Sequence, residues 1–280
     1  MIIDFHTHVL PPQVKADRRR CVEKDPAFAA IYSDEKAVIA TAEDLIESMD
    51  RDGVDVSLIV NYSWTTHELC VETNDFILES INRYPARLYG FCAVSSCKDD
   101  ASLQEIERCA AAGAKGIGEL RPDVPSFGFT GAGSVKAFAE LLRKHGLMVL
   151  THSSEPVGHR YFGKGQATPD VLCRLIESLG ELTIICGHWG GGLPFYSLMP
   201  EVKQVLANVY YDTAASPFLY RPEIYRRVAD LVGAERILFG SDYPLLPAGR
   251  IIKEINSAEL TEEEKLTVLS GNARYLLGVS

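Results

Sequence analysis

Short apolar runs rich in Val, Ile and Leu alternate along this chain with stretches whose apolar residues recur at helical spacing. The runs at 1–5, 55–62 (DVSLIVNY), 87–95 (RLYGFCAVS), 114–120 (AKGIGEL), 147–154 (LMVLTHSS), 181–188 (ELTIICGH), 208–213 (NVYYDT) and 235–244 (ERILFGSDYP) predict strands. The stretches 41–52, 68–85, 101–113, 134–146, 169–180, 195–207, 222–233, 248–256 and 261–277 predict helices. Punctuation agrees with the periodicity. Thr41 is an N-cap ahead of the acidic pair Glu43 and Asp44, Gly53, Gly113 and Gly146 end helices, and Pro85 stops another.

Eight strands, each followed by a helix, imply parallel pairing with helices covering the sheet. At this length the expected architecture is α/β, a single (β/α)8 TIM barrel spanning 1–280 as one domain. The competing doubly wound sheet places a glycine-rich phosphate turn after its first strand, and HTHVLPP has none. Residues 10–40 form a long connection after the first strand with no clear periodicity. In a barrel such a loop lies at the active-site end and is expected to act as a lid.

The composition is ordinary for a globular chain, with 46% hydrophobic and 24% charged residues. The net charge of −10 excludes general nucleic-acid or anionic-membrane binding, but a metal or a few arginines can reverse the field inside a pocket. Seven scattered cysteines without a Cys-x-x-Cys pair point to a reducing compartment, and no signal or spanning segment is present. The expectation is a cytoplasmic protein with a small-molecule substrate, no nucleic-acid or membrane partner, and a homodimer as the default assembly.

Polar residues gather where barrel chemistry sits, at the strand C-termini. His6 and His8 end strand 1 and share one face with Asp4, which lies a layer deeper. Glu119 ends strand 4, His152 strand 5, His188 strand 6 and Asp242 strand 8. Histidines and carboxylates with an open position for water are the usual ligands of a catalytic zinc. The expected cofactor is therefore a divalent metal, zinc first, as one ion or two. Manganese, iron or nickel suit such donors too.

The segments HTHVLPP, THSSEP, CGHWGGGLPF and LFGSDYP, in this order, resemble the amidohydrolase superfamily, and within it the group of aminocarboxymuconate-semialdehyde decarboxylase and related decarboxylases. The resemblance runs from residue 1 to about 277. It implies that His6, His8 and His152 hold the metal, that Asp242 is a further ligand or the general base, and that His188 polarises substrate or moves a proton. Glu119, in KGIGELRPD, departs from that group. It is similar to a metal-binding glutamate of the TatD-like deoxyribonuclease branch and could hold a second ion, with a salt bridge to Arg121 as the alternative.

Arg121, Trp64 and His159 are the expected substrate contacts, with Trp189 a further pocket wall. The decarboxylases use an arginine from the loop after strand 1 to hold a carboxylate, but Arg18, Arg19 and Arg20 do not align with it residue by residue. The primary expectation is a hydrolase, in which Asp242 activates a metal-bound water against an amide, ester or lactone. The alternative is a non-oxidative decarboxylase that uses the same residues as a proton relay.

Overall fold

The computed structural model describes residues 1–131, 133 and 135–279. The expected helix start at Ser134 and the chain end at Ser280 lie outside them. Eight parallel strands follow in order: β1 (Ile3–Thr7), β2 (Val56–Val60), β3 (Leu88–Cys92), β4 (Gly116–Leu120), β5 (Met148–Thr151), β6 (Ile184–Cys186), β7 (Val209–Asp212) and β8 (Ile237–Leu238). Each pairs with its successor. The first and last strands meet through Phe5 N–H to the Phe239 carbonyl (2.7 Å), Asp242 N–H to His6 (2.9 Å) and His8 N–H to Tyr243 (2.7 Å). This closes a (β/α)8 barrel. β8 is far shorter than the run 235–244, because beyond Leu238 the chain pairs with β1 only through isolated contacts, among them the parallel bridge between Tyr243 and Thr7.

The inner core holds side chains of alternate strand positions, among them Ile3, Phe5, Leu58, Phe91, Leu150 and Ile185. A larger apolar layer fills the space between strands and helices. The helices are α1 (Pro12–Ala16), α2 (Arg18–Lys24), α3 (Pro26–Tyr32), α4 (Ala42–Asp52), α5 (His67–Arg83), α6 (Asp100–Ala111) and α7 (Lys136–Lys144), followed by α8 (Pro169–Leu179), α9 (Pro200–Val205), α10 (Ser216–Leu219), α11 (Ile224–Val232), α12 (Ala248–Ser257), α13 (Glu262–Leu266) and α14 (Asn272–Leu277). α4 starts in a full capping box of Thr41 and Asp44 and ends at left-handed Gly53. The expected helix at 195–207 is largely irregular. A 3₁₀ stretch over His188–Leu198 precedes the short α9.

The segment 10–40 is not the structureless loop its sequence suggests. It folds into α1, α2 and α3, which pack their own cluster of Val14, Cys21, Phe28 and Tyr32 onto Tyr62 and Trp64 at the barrel's top. Asp25 seats this segment. Its Oδ1 accepts the N–H groups of Ala27 (3.0 Å) and Phe28 (3.1 Å), capping α3. Its Oδ2 accepts the backbone and hydroxyl donors of Thr65 (2.7 and 2.8 Å) and Thr66 (both 3.1 Å), just before α5. A buried carboxylate is tolerated because so many donors surround it.

Candidate metal centre and active site

Two ladder irregularities aim the first donors. Register shifts fall between Asp4 and Thr7 on β1 and between Ile117 and Leu120 on β4, bracketing His6 and Glu119. Such shifts re-aim side chains at strand ends. Two donors stand on left-handed backbone, His188 at φ 53° and Asp242 at φ 66°. Non-glycine residues hold that conformation only where the surroundings demand it, and active sites are a common place. The left-handed run continues through HWGGG to Gly192. At Gly191 a Cβ would stand 2.5 Å from the Ser154 carbonyl, so only glycine lets this turn press against the end of strand 5.

The tautomers of the histidine pair follow from their partners. His6 Nδ1 lies 2.7 Å from Asp212 Oδ2, and His8 Nδ1 lies 2.8 Å from the Val60 carbonyl. Both partners accept only, so both Nδ1 atoms carry hydrogen. The two Nε2 atoms then face each other at 3.1 Å. A proton on His6 makes this contact a hydrogen bond, and once that proton is lost both lone pairs are free to bind one cation. Glu119 Oε2 stands 3.9 and 3.7 Å from these nitrogens, and Asp242 Oδ1 3.8 and 3.3 Å. Donors each about 2.1 Å from a shared ion lie about 3.0–4.2 Å apart, so this group of two nitrogens and two carboxylate oxygens fits a divalent metal.

His152 falls in a second group. Its Nδ1 is 2.8 Å from Glu119 Oε1 and its Nε2 is 3.1 Å from Ser154 Oγ. His188 Nε2 approaches the same Glu119 oxygen at 3.3 Å, while its Nδ1 lies 3.2 Å from the Ala214 carbonyl. Glu119 thus belongs to both donor groups, His6–His8–Glu119 and Glu119–His152–His188.

The charge states are those of a site built for a cation. Burial favours neutral imidazole at His6, but the facing charges of Asp212, Glu119 and Asp242 outweigh it and push the group up to about 9. At His188 burial is likewise outweighed, by the Glu119 hydrogen bond and Asp242, and the group rises to about 10. Burial would raise Asp242, yet the His8 hydrogen bond and the charges of His188 and His6 bring it down to about 2. Glu119 is held well below its ordinary value against the same burial, by His152 first.

Asp212 was not singled out in the sequence. It ends β7 and its two oxygens serve different partners. Oδ2 orients His6, and Oδ1 accepts the N–H groups of His188 (2.8 Å) and Ala214 (3.0 Å). The available signal was an acid at a strand C-terminus, the same signal that marked Asp242.

These donors open into a cavity of about 530 Å³. Its walls carry Phe28, Tyr32, Tyr62, Trp64, Tyr161 and Phe162. Phe28 stacks on Trp64 at 4.8 Å and on Tyr32 at 4.4 Å, and Tyr62 stacks on His8 at 4.5 Å. Arg121, Trp64 and His159 all line this space. Arg121 is already engaged, through Nε and Nη2 to Asp123 (both 3.0 Å) and Nη1 to the Gly163 carbonyl (3.1 Å). His159 is exposed at the mouth. One expectation is corrected, that Trp189 walls the pocket. Trp189 is fully buried behind the site, its Nε1 donating to Ser216 Oγ at 2.9 Å. Arg18, Arg19 and Arg20 pair with the Asp34 carbonyl, Glu23 and Glu72, away from the cavity lining.

The Amidohydrolase family model matches residues 3–279. The chain belongs to this family. A curated relative, 2-amino-3-carboxymuconate-6-semialdehyde decarboxylase of Dictyostelium discoideum, is 23% identical over 99% of this chain and 91% of its own length. A second, 6-methylsalicylic acid decarboxylase of Penicillium expansum, is 28% identical over 67% of this chain and 68% of its own. Among solved amidohydrolase barrels, 5-carboxyvanillate decarboxylase from Novosphingobium aromaticivorans, complexed with manganese and 4-hydroxy-3-methoxy-5-nitrobenzoic acid, superposes with a TM-score of 0.77 at 17% identity, covering 100% of this chain and 96% of that one. These relatives correct the primary expectation. The curated relatives that match are decarboxylases, so the hydrolase reading gives way to its alternative. Among the described residues no helix is long and apolar enough to cross a membrane.

Proposed function

We propose that this chain is a metal-dependent, non-oxidative decarboxylase of a small aromatic carboxylic acid. The observation that carries this reading is the position of the donor group and His188 beneath a cavity walled by aromatic rings. A flat acid fits between such walls, with its carboxylate toward the cationic end. The decarboxylase relatives support the same reaction class.

In this reading His6, His8, Glu119 and Asp242 hold the ion, and His152 orients Glu119. Two nitrogens with two carboxylates suit manganese as well as zinc. Manganese is named with neighbouring decarboxylases of this fold, which supports it over the zinc first expected. When bound, the ion supplies a fixed positive charge that draws electron density from the substrate.

The chain's own residues handle the proton. His188 Nε2 stores it, held 3.3 Å from Glu119 Oε1, whose charge together with that of Asp242 raises the group. Asp242, which faces the cavity, relays it to the ring carbon that bears the carboxylate. The bond from that carbon to the carboxylate then breaks. Its electron pair restores the aromatic ring, carbon dioxide leaves, and solvent returns one proton to the relay. No water is consumed. Arg121 supplies positive field near the departing carboxylate, and Trp64 and His159 bound the space it occupies.

The test is product analysis in deuterium oxide with metal-loaded protein and substituted benzoic acids. Carbon dioxide release with one deuterium at the vacated ring carbon is the expected result. A product that keeps all its carbon and gains solvent oxygen would overturn the proposal.

A further inference from the structure

The tyrosines of the cavity wall hold an imbalance. Tyr32 Oη and Tyr62 Oη are hydrogen-bonded to each other. Neither hydroxyl has another partner among the described residues. Two phenols bring two protons, and one bond between them uses one. The second O–H proton therefore has no protein acceptor, although both residues are buried. Burial keeps both phenols protonated, so the pair acts as a donor. Leaving a buried donor unmade is unfavourable unless something in the cavity accepts it.

The pair is also rigidly placed. Tyr32 ends α3 and stacks on Phe28, whose N–H is capped by Asp25. Tyr62 stacks on His8, three residues before the Thr65–Thr66 turn bound by the same Asp25. One carboxylate thus fixes both halves of the pair. Both tyrosines line the cavity. In the free protein water can accept the spare proton. A ligand that displaces this water must offer an oxygen or leave the proton stranded.

We propose that the Tyr32–Tyr62 hydroxyl pair is a specificity-determining donor that selects substrates carrying a second oxygen substituent besides the departing carboxylate. The inference rests on the decarboxylase reading and adds to it a demand on the substrate. A site that hydrogen-bonds a substrate group rejects the analogue lacking it far more strongly than an apolar wall can.

The experiment uses manganese-loaded protein and a panel built on benzoate, which has no oxygen substituent besides its carboxylate. Derivatives carry a hydroxyl, methoxyl or carboxylate at each remaining ring position. For every acid kcat/KM is measured, with an inhibition constant where turnover is absent. In wild type at least one oxygen-bearing derivative should exceed the parent by about tenfold or more. In the double variant Tyr32→Phe/Tyr62→Phe that ratio should fall about tenfold, with the change in KM or inhibition constant. The single variants then show which hydroxyl meets the ligand. Both changes keep the rings that stack on Phe28 and His8, and metal content and melting temperature report on folding.

A ratio that survives in the double variant overturns the inference while leaving decarboxylation intact. A parallel loss for parent and derivatives also overturns it, because the pair would then be structural. Failure of every acid to bind or react in wild type removes the decarboxylase reading, and the inference falls with it.

Discussion

His6 and His8 face each other through Nε2 atoms 3.1 Å apart, each ring fixed by a hydrogen bond from its far nitrogen. That relationship defines the cation site more sharply than the presence of histidines does. His8→Ala should abolish stoichiometric metal, measured as metal per chain after purification without chelator. Asp212→Asn should leave the ring in place and weaken metal affinity about 10–100-fold, as loss of an orienting partner does.

Glu119 spans both donor groups, so its removal tests how many ions the site holds. Glu119→Ala is expected to reduce metal content from about one ion per chain to a small fraction. A drop from two ions to one would instead show that Glu119 bridges a pair.

The chelator-stripped protein should lose stability as pH rises. His6 is raised to about 9 and His188 to about 10. A raised histidine contributes stability fully below its unfolded value near 6.5 and loses it as pH climbs through the folded value. Melting temperature should thus decline from pH 6.5 toward pH 10. Asp242, lowered to about 2, acts at the other end, its contribution present above about 4 and lost as pH falls. Metal loading requires neutral His6, so apparent metal affinity should rise across the same alkaline range. A flat melting profile in stripped protein would contradict the charge pattern.

Removing the proton relay should cost far more than binding. Asp242→Asn and His188→Asn are each expected to lower kcat about 10²–10⁴-fold in the carbon dioxide assay. For His188→Asn metal content should stay near wild type, because that residue lies outside the four-donor group.

Asp25 is expected to be a stability centre of the lid. Asp25→Ala strands the donors of Thr65, Thr66 and α3, and should destabilise by about 2–4 kcal/mol in denaturant titration. Hydrogen exchange should accelerate in residues 12–32 and 63–66 before it does so in the strands.

The barrel was legible because each buried strand and each capped helix carries its own periodicity, as α4 does from Thr41 to Gly53. The lid was not. α1, α2 and α3 are five to seven residues long, too short for a helical repeat to emerge. Their markers were local instead, with Pro12 and Pro26 at first helical positions and Asp17 and Asp25 as caps. The donors at strand ends were visible, but their grouping was not. The attachment of His152 to Glu119 rather than to the His6–His8 pair depends on register shifts that no residue announces. The choice of reaction was hidden for a different reason. Hydrolysis and decarboxylation draw on the same histidines and carboxylates, and wall residues such as Phe28 and Tyr32 lie far away in sequence.

Asp212 touches the His6 ring with one oxygen and the His188 backbone with the other. The spacing between the cation site and the proton store is therefore set inside the barrel wall. The segment 10–40 and the stretch around His159 supply none of these hydrogen bonds. Sequence change in the loops can thus reshape the cavity wall at Phe28 or Tyr32 while the bonds that space His6 from His188 stay in place.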